Sequence, residues 1–155
     1  MKRTSILLLM LLSSSNLMQA SGAGMTPRRM VAIVETLGQS VRQQGPVINF
    51  SYDGIPLVLI FDKDADRMRL ISPIVNVREL QPGQLERAMA ANFHSTLDAR
   101  YAISNQVIWA VFIHPLSDLS PELLASAVRQ VATASLTFGD NYTSGEMHFG
   151  AAEGS

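Results

Sequence analysis

Between Thr26 and Phe138 the hydrophobic positions keep switching between two periods, and each switch marks an element boundary. Thr26-Pro27 supplies a helix N-cap and a first-turn proline, after which Met30, Ile33, Val34, Leu37 and Val41 follow helical spacing. Gln43-Gln44-Gly45-Pro46 is the expected stop, since glycine ends helices readily and proline cannot continue one. From Val47 the period becomes two: Ile48, Phe50 and Tyr52 alternate with Val47, Asn49 and Ser51, and Asp53-Gly54 is a strong two-residue hairpin signal. Ile55 to Phe61 is apolar throughout, as expected of a strand covered on both faces. After the polar turn Asp62 to Asp66, Met68 and Leu70 alternate with Arg67 and Arg69, and Ser72 to Val75 closes a third strand.

Pro82-Gly83 opens a second helix, in which Leu85, Met89 and Phe93 recur every four residues, Leu97 extends the row and Ala88 lies beside it. Ala90 and Ala91 make part of its remaining surface small. Tyr101 to Ser104 and Val107 to Ile113 read as two strands joined at Asn105-Gln106. Ser120-Pro121-Glu122 starts a third helix with Leu124, Val128, Val131 and Phe138 as its buried stripe, and Gly139 ends it. Residues 139–155 are rich in Gly, Ser, Ala and Asn without periodicity and are expected to form a flexible tail. The order is helix, three strands, helix, two strands, helix. It predicts an α+β fold with an antiparallel sheet packed against helices, built around one core over residues 26–138.

The start of the chain reads as an address. Lys2 and Arg3 precede the apolar run Ile6 to Leu12, and a polar stretch from Ser13 leads to small residues, the plan of a secretory signal peptide over residues 1–23. Seven apolar residues at ~1.5 Å each fall far short of a ~30 Å hydrocarbon core, so no membrane span is expected there. Cleavage after Ala23 is favoured over Ala20, because Ser21-Gly22-Ala23 keeps small residues where a signal peptidase reads them. The other readings are an N-terminal helix or a start at Met25. Export implies a periplasmic or secreted protein. Removal at Ala23 takes Lys2 and Arg3 with it, leaving 10 basic against 13 acidic residues, a net charge of −3 instead of −1.

With 47% hydrophobic residues the chain is too apolar to be disordered. Zero cysteines exclude disulfides, thiolate zinc sites and thiol catalysis. The near-neutral charge gives no electrostatic footprint for nucleic acid. Asp62-Lys63-Asp64-Ala65-Asp66 imitates a calcium-binding loop, but Arg67 stands where the glycine belongs and Pro73 where the bidentate Glu belongs. His94, His114 and His148 show no metal or hydrolase spacing, and nucleophile-elbow, penicillin-binding and P-loop motifs are absent. Ser144-Gly145-Glu146 falls in the expected tail and organises no site. No catalytic residue, metal or cofactor is therefore expected.

The informative feature is surplus apolar surface. Val107, Trp109, Val111 and Ile113 occupy one face of their strand and Ile108, Ala110 and Phe112 the other, whereas helices on one side of a sheet cover a single face. One of Trp109 or Phe112 should then be core and the other a contact. Trp109, Phe112, Val111 and Ile113, with Ala90 and His94 on the second helix, are the candidate surface for a partner protein or a second copy. The competing expectation is that helix and sheet twist cover both faces within the monomer.

The stretch Phe50-Ser51-Tyr52-Asp53-Gly54-Ile55-Pro56-Leu57-Val58, the phrase Arg67-Met68-Arg69-Leu70-Ile71-Ser72-Pro73-Ile74 and a following helix carrying Ala91-Asn92-Phe93 resemble the type III secretion chaperone fold. The chain is similar to the Tir-chaperone family and the related YbjN-like proteins over roughly Thr26 to Phe138. The resemblance implies a small homodimer that binds extended segments of partner proteins, without cofactor or ATP. The export signal and the modest charge depart from that family, so the expected role is an exported, non-catalytic, chaperone-like module whose client the residues do not name. The alternatives are a small-molecule-binding or enzymatic domain with a pocket between sheet and helices, and a cytoplasmic secretion chaperone.

The leader makes a direct prediction. Protein recovered from the periplasm should begin within Ser21 to Met25 by intact mass, and Leu8→Asp with Leu9→Asp should hold it in the cytosol, because charge in the apolar region opposes insertion. An intact Met1 on the wild-type protein would overturn the reading.

Overall fold

The computed structural model describes residues 24–145, so the expected signal peptide and the final ten residues lie outside the described residues. Helix α1 (Pro27–Leu37) leads into four strands, β1 (Gln39–Gln44), β2 (Val47–Tyr52), β3 (Ile55–Asp62) and β4 (Arg67–Asn76). A short 3-10 turn (Val77–Glu79), helix α2 (Gln84–His94), strands β5 (Arg100–Ser104) and β6 (Val107–His114) and helix α3 (Pro121–Thr137) follow. The strands form one antiparallel sheet in the order β1-β2-β3-β4-β6-β5. The α+β class stands, with six strands in place of five.

The additional strand corrects the expected extent of the first helix. Helix α1 ends at Gly38, whose N–H bonds to the Val34 carbonyl. A Cβ there would lie 2.7 Å from the Phe50 ring and 2.8 Å from the Ser51 carbonyl, so only glycine lets the chain pass over β2 so closely. Residues 39–44 then run back along β2 as an edge strand, with Val41 turned toward the core and its five neighbours exposed. Val41 fell at helical spacing from Leu37 by coincidence. Gly45-Pro46 is a hairpin turn, with Gly45 at φ +58° and Gln44 paired to Val47.

The other hairpins follow their turn residues. Asp53 and Gly54 both have positive φ, as do Asn105 and Gln106, which is the backbone that matches the twist of the flanking strands. Thr26 and Ser120 cap α1 and α3 through side-chain oxygens that accept from Arg29 N and Leu123 N.

Helix α3 lies across β2 to β6, and α1 packs beside it on β1 and β2. Beneath them the row Ile48–Leu59–Leu70–Phe112 crosses four strands with every member buried. Met30 and Val34 of α1 and Leu124, Val128 and Val131 of α3 close the core from above, each fully buried. Each such aliphatic side chain contributes roughly 1.5–3 kcal/mol on burial.

The segment after α3 departs from the expected tail. Up to Gly145 it is packed: Tyr142 is 4% exposed, its ring meets Tyr101 and Phe138 edge-on, and Ser144 Oγ accepts from Leu97 N. Ser95 Oγ donates to the Tyr142 carbonyl, and Thr143 Oγ1 donates to the Ser95 carbonyl. The segment thus ties the end of α2 to the end of α3.

In the acidic turn, Asp62 Oδ1 accepts from the N–H groups of Asp64 and Ala65. Asp66 accepts from the Ser117 hydroxyl at 2.7 Å and the Ser117 N–H at 2.8 Å, and these bonds hold its carboxyl below the ordinary value of 3.8. Because the folded-state value is depressed, the stabilisation is present above pH 3.8 and fades as pH falls through the folded value. Asp66→Asn, which keeps a residue tolerant of the left-handed backbone, should therefore melt below wild type at pH 7 and converge with it in acid. Since the Asp62 and Asp66 carboxylates already serve the turn, millimolar calcium and a chelator should give superimposable melts; a calcium-dependent rise would reveal a real site.

Candidate protein-binding site

Strand β6 decides which face of the sheet is free. Ile108, Ala110 and Phe112 point under α3 and are buried, so Phe112, expected as a possible contact residue, is core. Trp109 and Val111 are half-buried and Ile113 is 53% exposed on the opposite face, which no described helix covers. The Trp109 indole donates from Nε1 to the Ser104 carbonyl at 3.1 Å, which ties it to the β5 end of the hairpin.

Neighbouring strands extend this face. Val58 pairs with Ile71, and Ile71 with Val111; Ile60 pairs with Arg69, and Arg69 with Ile113; Pro73 pairs with Trp109. Strand β3 therefore needs correction as well. Leu57, Leu59 and Phe61 are buried, but Val58 is only half-buried and Ile60 is exposed, so its second face is open instead of covered. The sequence alone marked Trp109, Val111 and Ile113; the sheet order adds Val58, Ile60 and Ile71, which an apolar run cannot assign to a face.

A second apolar surface borders the outer edge of β5. Asn92 on α2 accepts from the Tyr101 N–H at 2.7 Å and donates to the Tyr101 carbonyl at 3.1 Å, taking the place of a neighbouring strand. Ala88 and Ala91 are the buried residues of α2, since only small side chains let the helix approach this closely. The expected buried row is thereby turned outward: Met89 is 58% and Phe93 74% exposed, close to the half-exposed Ile103 of β5. A groove of about 300 Å³ lies between them, lined by Leu85, Ala88, Met89, Tyr101, Ala102, Ile103 and Ile108. Ala90 and His94 are exposed on another flank of α2, beside Ser95, Asp140, Asn141 and Tyr142, away from the sheet face with which they were grouped. The His94 ring meets Phe93 edge-on at 4.9 Å.

Neither surface presents groups arranged for acid-base chemistry. The ionisable side chain lining the groove is Tyr101, whose hydroxyl donates to the Ala134 carbonyl and whose burial pushes its pKa up to about 12. Among the described residues no cluster of three or more His, Asp or Glu could hold a metal ion, and no helix is long and apolar enough to cross a membrane. What the geometry offers is exposed apolar area.

No protein-family model matches the sequence, and no curated protein matches it. Solved structures do match the fold. A chain of the HopA1–SchA chaperone–effector complex is 15% identical, with a TM-score of 0.54 over 70% of this chain and 88% of that one. A chain of the ExsC–ExsE complex is 12% identical, with a TM-score of 0.55 over 70% and 86%. A chain of the complex between the Yersinia pestis type III secretion chaperone SycH and a YscM2 fragment is 15% identical, with a TM-score of 0.52 over 71% and 99%. The chain therefore has a type III secretion chaperone-like fold.

The two aromatic residues of β6 separate core from surface. Phe112→Ala should lower stability by ~3–5 kcal/mol, whereas Trp109→Ala should cost about 1 kcal/mol, the scale of its one hydrogen bond. Urea titrations followed by far-UV circular dichroism measure both, and equal losses would show that Trp109 is as fully packed as Phe112.

Proposed function

We propose that this is an exported, non-catalytic, chaperone-like module that holds an extended segment of a partner protein on the open face of its sheet and works as a homodimer. One observation carries the reading: Val58, Ile60, Ile71, Trp109, Val111 and Ile113 lie on one largely apolar face that no described element covers. Contiguous exposed apolar surface on a soluble protein marks an interaction site. The fold likeness supports the same reading, since the matching chains come from complexes described as chaperone–effector or chaperone–fragment assemblies.

The dimer contact is assigned to α2 and the edge of β5. Met89, Phe93 and Ile103 are among the most exposed large apolar side chains, and the flank of α2 with Ala90 is small enough for a second helix to approach. The two surfaces then have separate jobs, pairing at one end of the sheet and client binding across it.

Sedimentation across a concentration series, with cross-linking in envelope extract, tests the division. Wild type should dimerise, and Met89→Ser with Phe93→Ser should be monomeric with an unchanged melting curve. Ile113→Ser should remain dimeric and lose the cross-linked partner that wild type and the monomeric variant retain. A wild type that stays monomeric at high concentration removes the dimer, and a partner retained by Ile113→Ser removes the open face as the binding site.

A further inference from the structure

The open face is basic as well as apolar, although the chain carries 13 acidic against 12 basic residues. Its middle row runs Arg42–Asn49–Val58–Ile71–Val111–Arg100, one residue from each strand, so an apolar strip has an arginine at each end. In the next row Arg69 stands between Ile60 and Ile113. Arg67 follows on β4, opposite Asp62, whose Oδ1 is already occupied by two backbone N–H groups. Among the arginines of the described residues only Arg67 has a described carboxylate within 4.0 Å, that of Asp66. Arg100 is held in place by neutral acceptors alone, Thr96 Oγ1 and the carbonyls of Leu97 and Ala99. Arg42, Arg69 and Arg100 therefore present positive charge that no carboxylate of the described residues meets within 4.0 Å.

We infer that the occupant of this face is an extended polypeptide segment with an apolar middle and carboxylates toward its ends. The inference rests on the open face being the partner site and adds the partner's chemistry. Arg42 and Arg100 are separated by five strand spacings of ~4.8 Å, about 24 Å, which an extended chain at ~3.3 Å per residue covers in about seven residues. Side chains on one face of such a segment cover the strip Val58–Ile71–Val111, while acidic residues toward its two ends reach Arg42 and Arg100, and Arg69 adds positive charge beside the strip. A guanidinium fork suits a carboxylate in two parallel hydrogen bonds. A second copy laid on the same face would bring arginine toward arginine, and like-charge juxtaposition works against that pairing.

Trp109 is the only tryptophan and lies on this face, so its emission reports occupancy directly. Three synthetic nine-residue peptides serve as probes: Glu-Glu-Leu-Val-Leu-Val-Leu-Glu-Glu, and its counterparts with every Glu replaced by Gln or by Lys. The Glu peptide should shift Trp109 emission and bind at least ten-fold more tightly than either counterpart at low salt, with the margin narrowing in 500 mM NaCl. Arg42→Glu and Arg69→Glu, both exposed positions, should each shift the preference toward the Lys peptide without changing the melting curve; a variant that misfolds leaves the other, and the salt series on wild type, to decide. Equal binding of all three peptides by wild type would overturn the acidic preference and leave the docking face standing. No binding of any peptide, with Trp109 emission unchanged, would remove both. Self-association that shields Trp109 and is abolished by Ile113→Ser would assign the face to a second copy, and stronger binding of a single-stranded oligothymidylate would assign it to nucleic acid; either result overturns the inference.

Discussion

A strand sends alternate side chains to opposite faces, and helices packed on one side of a sheet cover only one of them. Every other feature of this molecule follows from how α1 and α3 are spent on that single face. The row Ile48–Leu59–Leu70–Phe112 is core because α3 lies over it, and Val58, Ile71 and Val111 are half-buried because no described element lies over them. The crossover that inserts β6 between β4 and β5 matters most here. It places the most apolar strand inside the sheet, where its backbone is fully paired and both of its faces are broad. An edge position for the same strand would have exposed its main chain together with Trp109 and Ile113, the arrangement that invites indiscriminate strand pairing.

The parts legible in the sequence are those in which a local rule and the tertiary environment agree. Asp53-Gly54 and Ser120-Pro121 mark a turn and a helix start through backbone chemistry that packing leaves alone. Strand β6 is legible because seven apolar residues without a break leave no polar position to mark a solvent face. The same property made β3 illegible: Ile60 and Leu59 look alike in sequence, and only the placement of α3 exposes one and buries the other. Strand β1 was hidden by Val41, one apolar residue at helical distance from Leu37. Its real determinant is Gly38, where the constraint is the nearness of Phe50, a residue twelve positions away whose proximity no local period encodes.

Helix α2 shows why an apolar row is an ambiguous sign. Leu85, Met89 and Phe93 have the spacing of a buried stripe, but the helix docks by its small side, Ala88 and Ala91, because Asn92 must come within hydrogen-bonding distance of the Tyr101 main chain. A polar residue at the margin of an alanine face is the signal that separates the two orientations, and it is visible only once the helix is known to lie along a strand edge. The segment after α3 was illegible for the opposite reason. Ser, Thr, Gly and Tyr without periodicity resemble a tail, yet Tyr142 inserts between Phe138 and Tyr101 while Thr143 and Ser144 satisfy main-chain groups at the end of α2.

Fold likeness and function separate at the level of charge. At 12–15% identity what the likeness to the matching chains conveys is the fold alone. What the free face selects depends on residues that scaffold stability leaves unconstrained. Arg42, Arg69 and Arg100 contribute nothing to the core, and mutual repulsion among unneutralised guanidinium groups on one surface costs the folded protein some stability. Two of them end the central apolar row and the third interrupts the row beside it; Arg100 also satisfies main-chain carbonyls at the start of β5, whereas Arg42 and Arg69 are exposed. Apolar area supplies affinity without direction, and positive charge set around it fixes which segments gain from docking and in which register. On the docking inferred above, the arginines are the part of this chain that would select its partner, and the sheet beneath them is the part that the fold likeness covers.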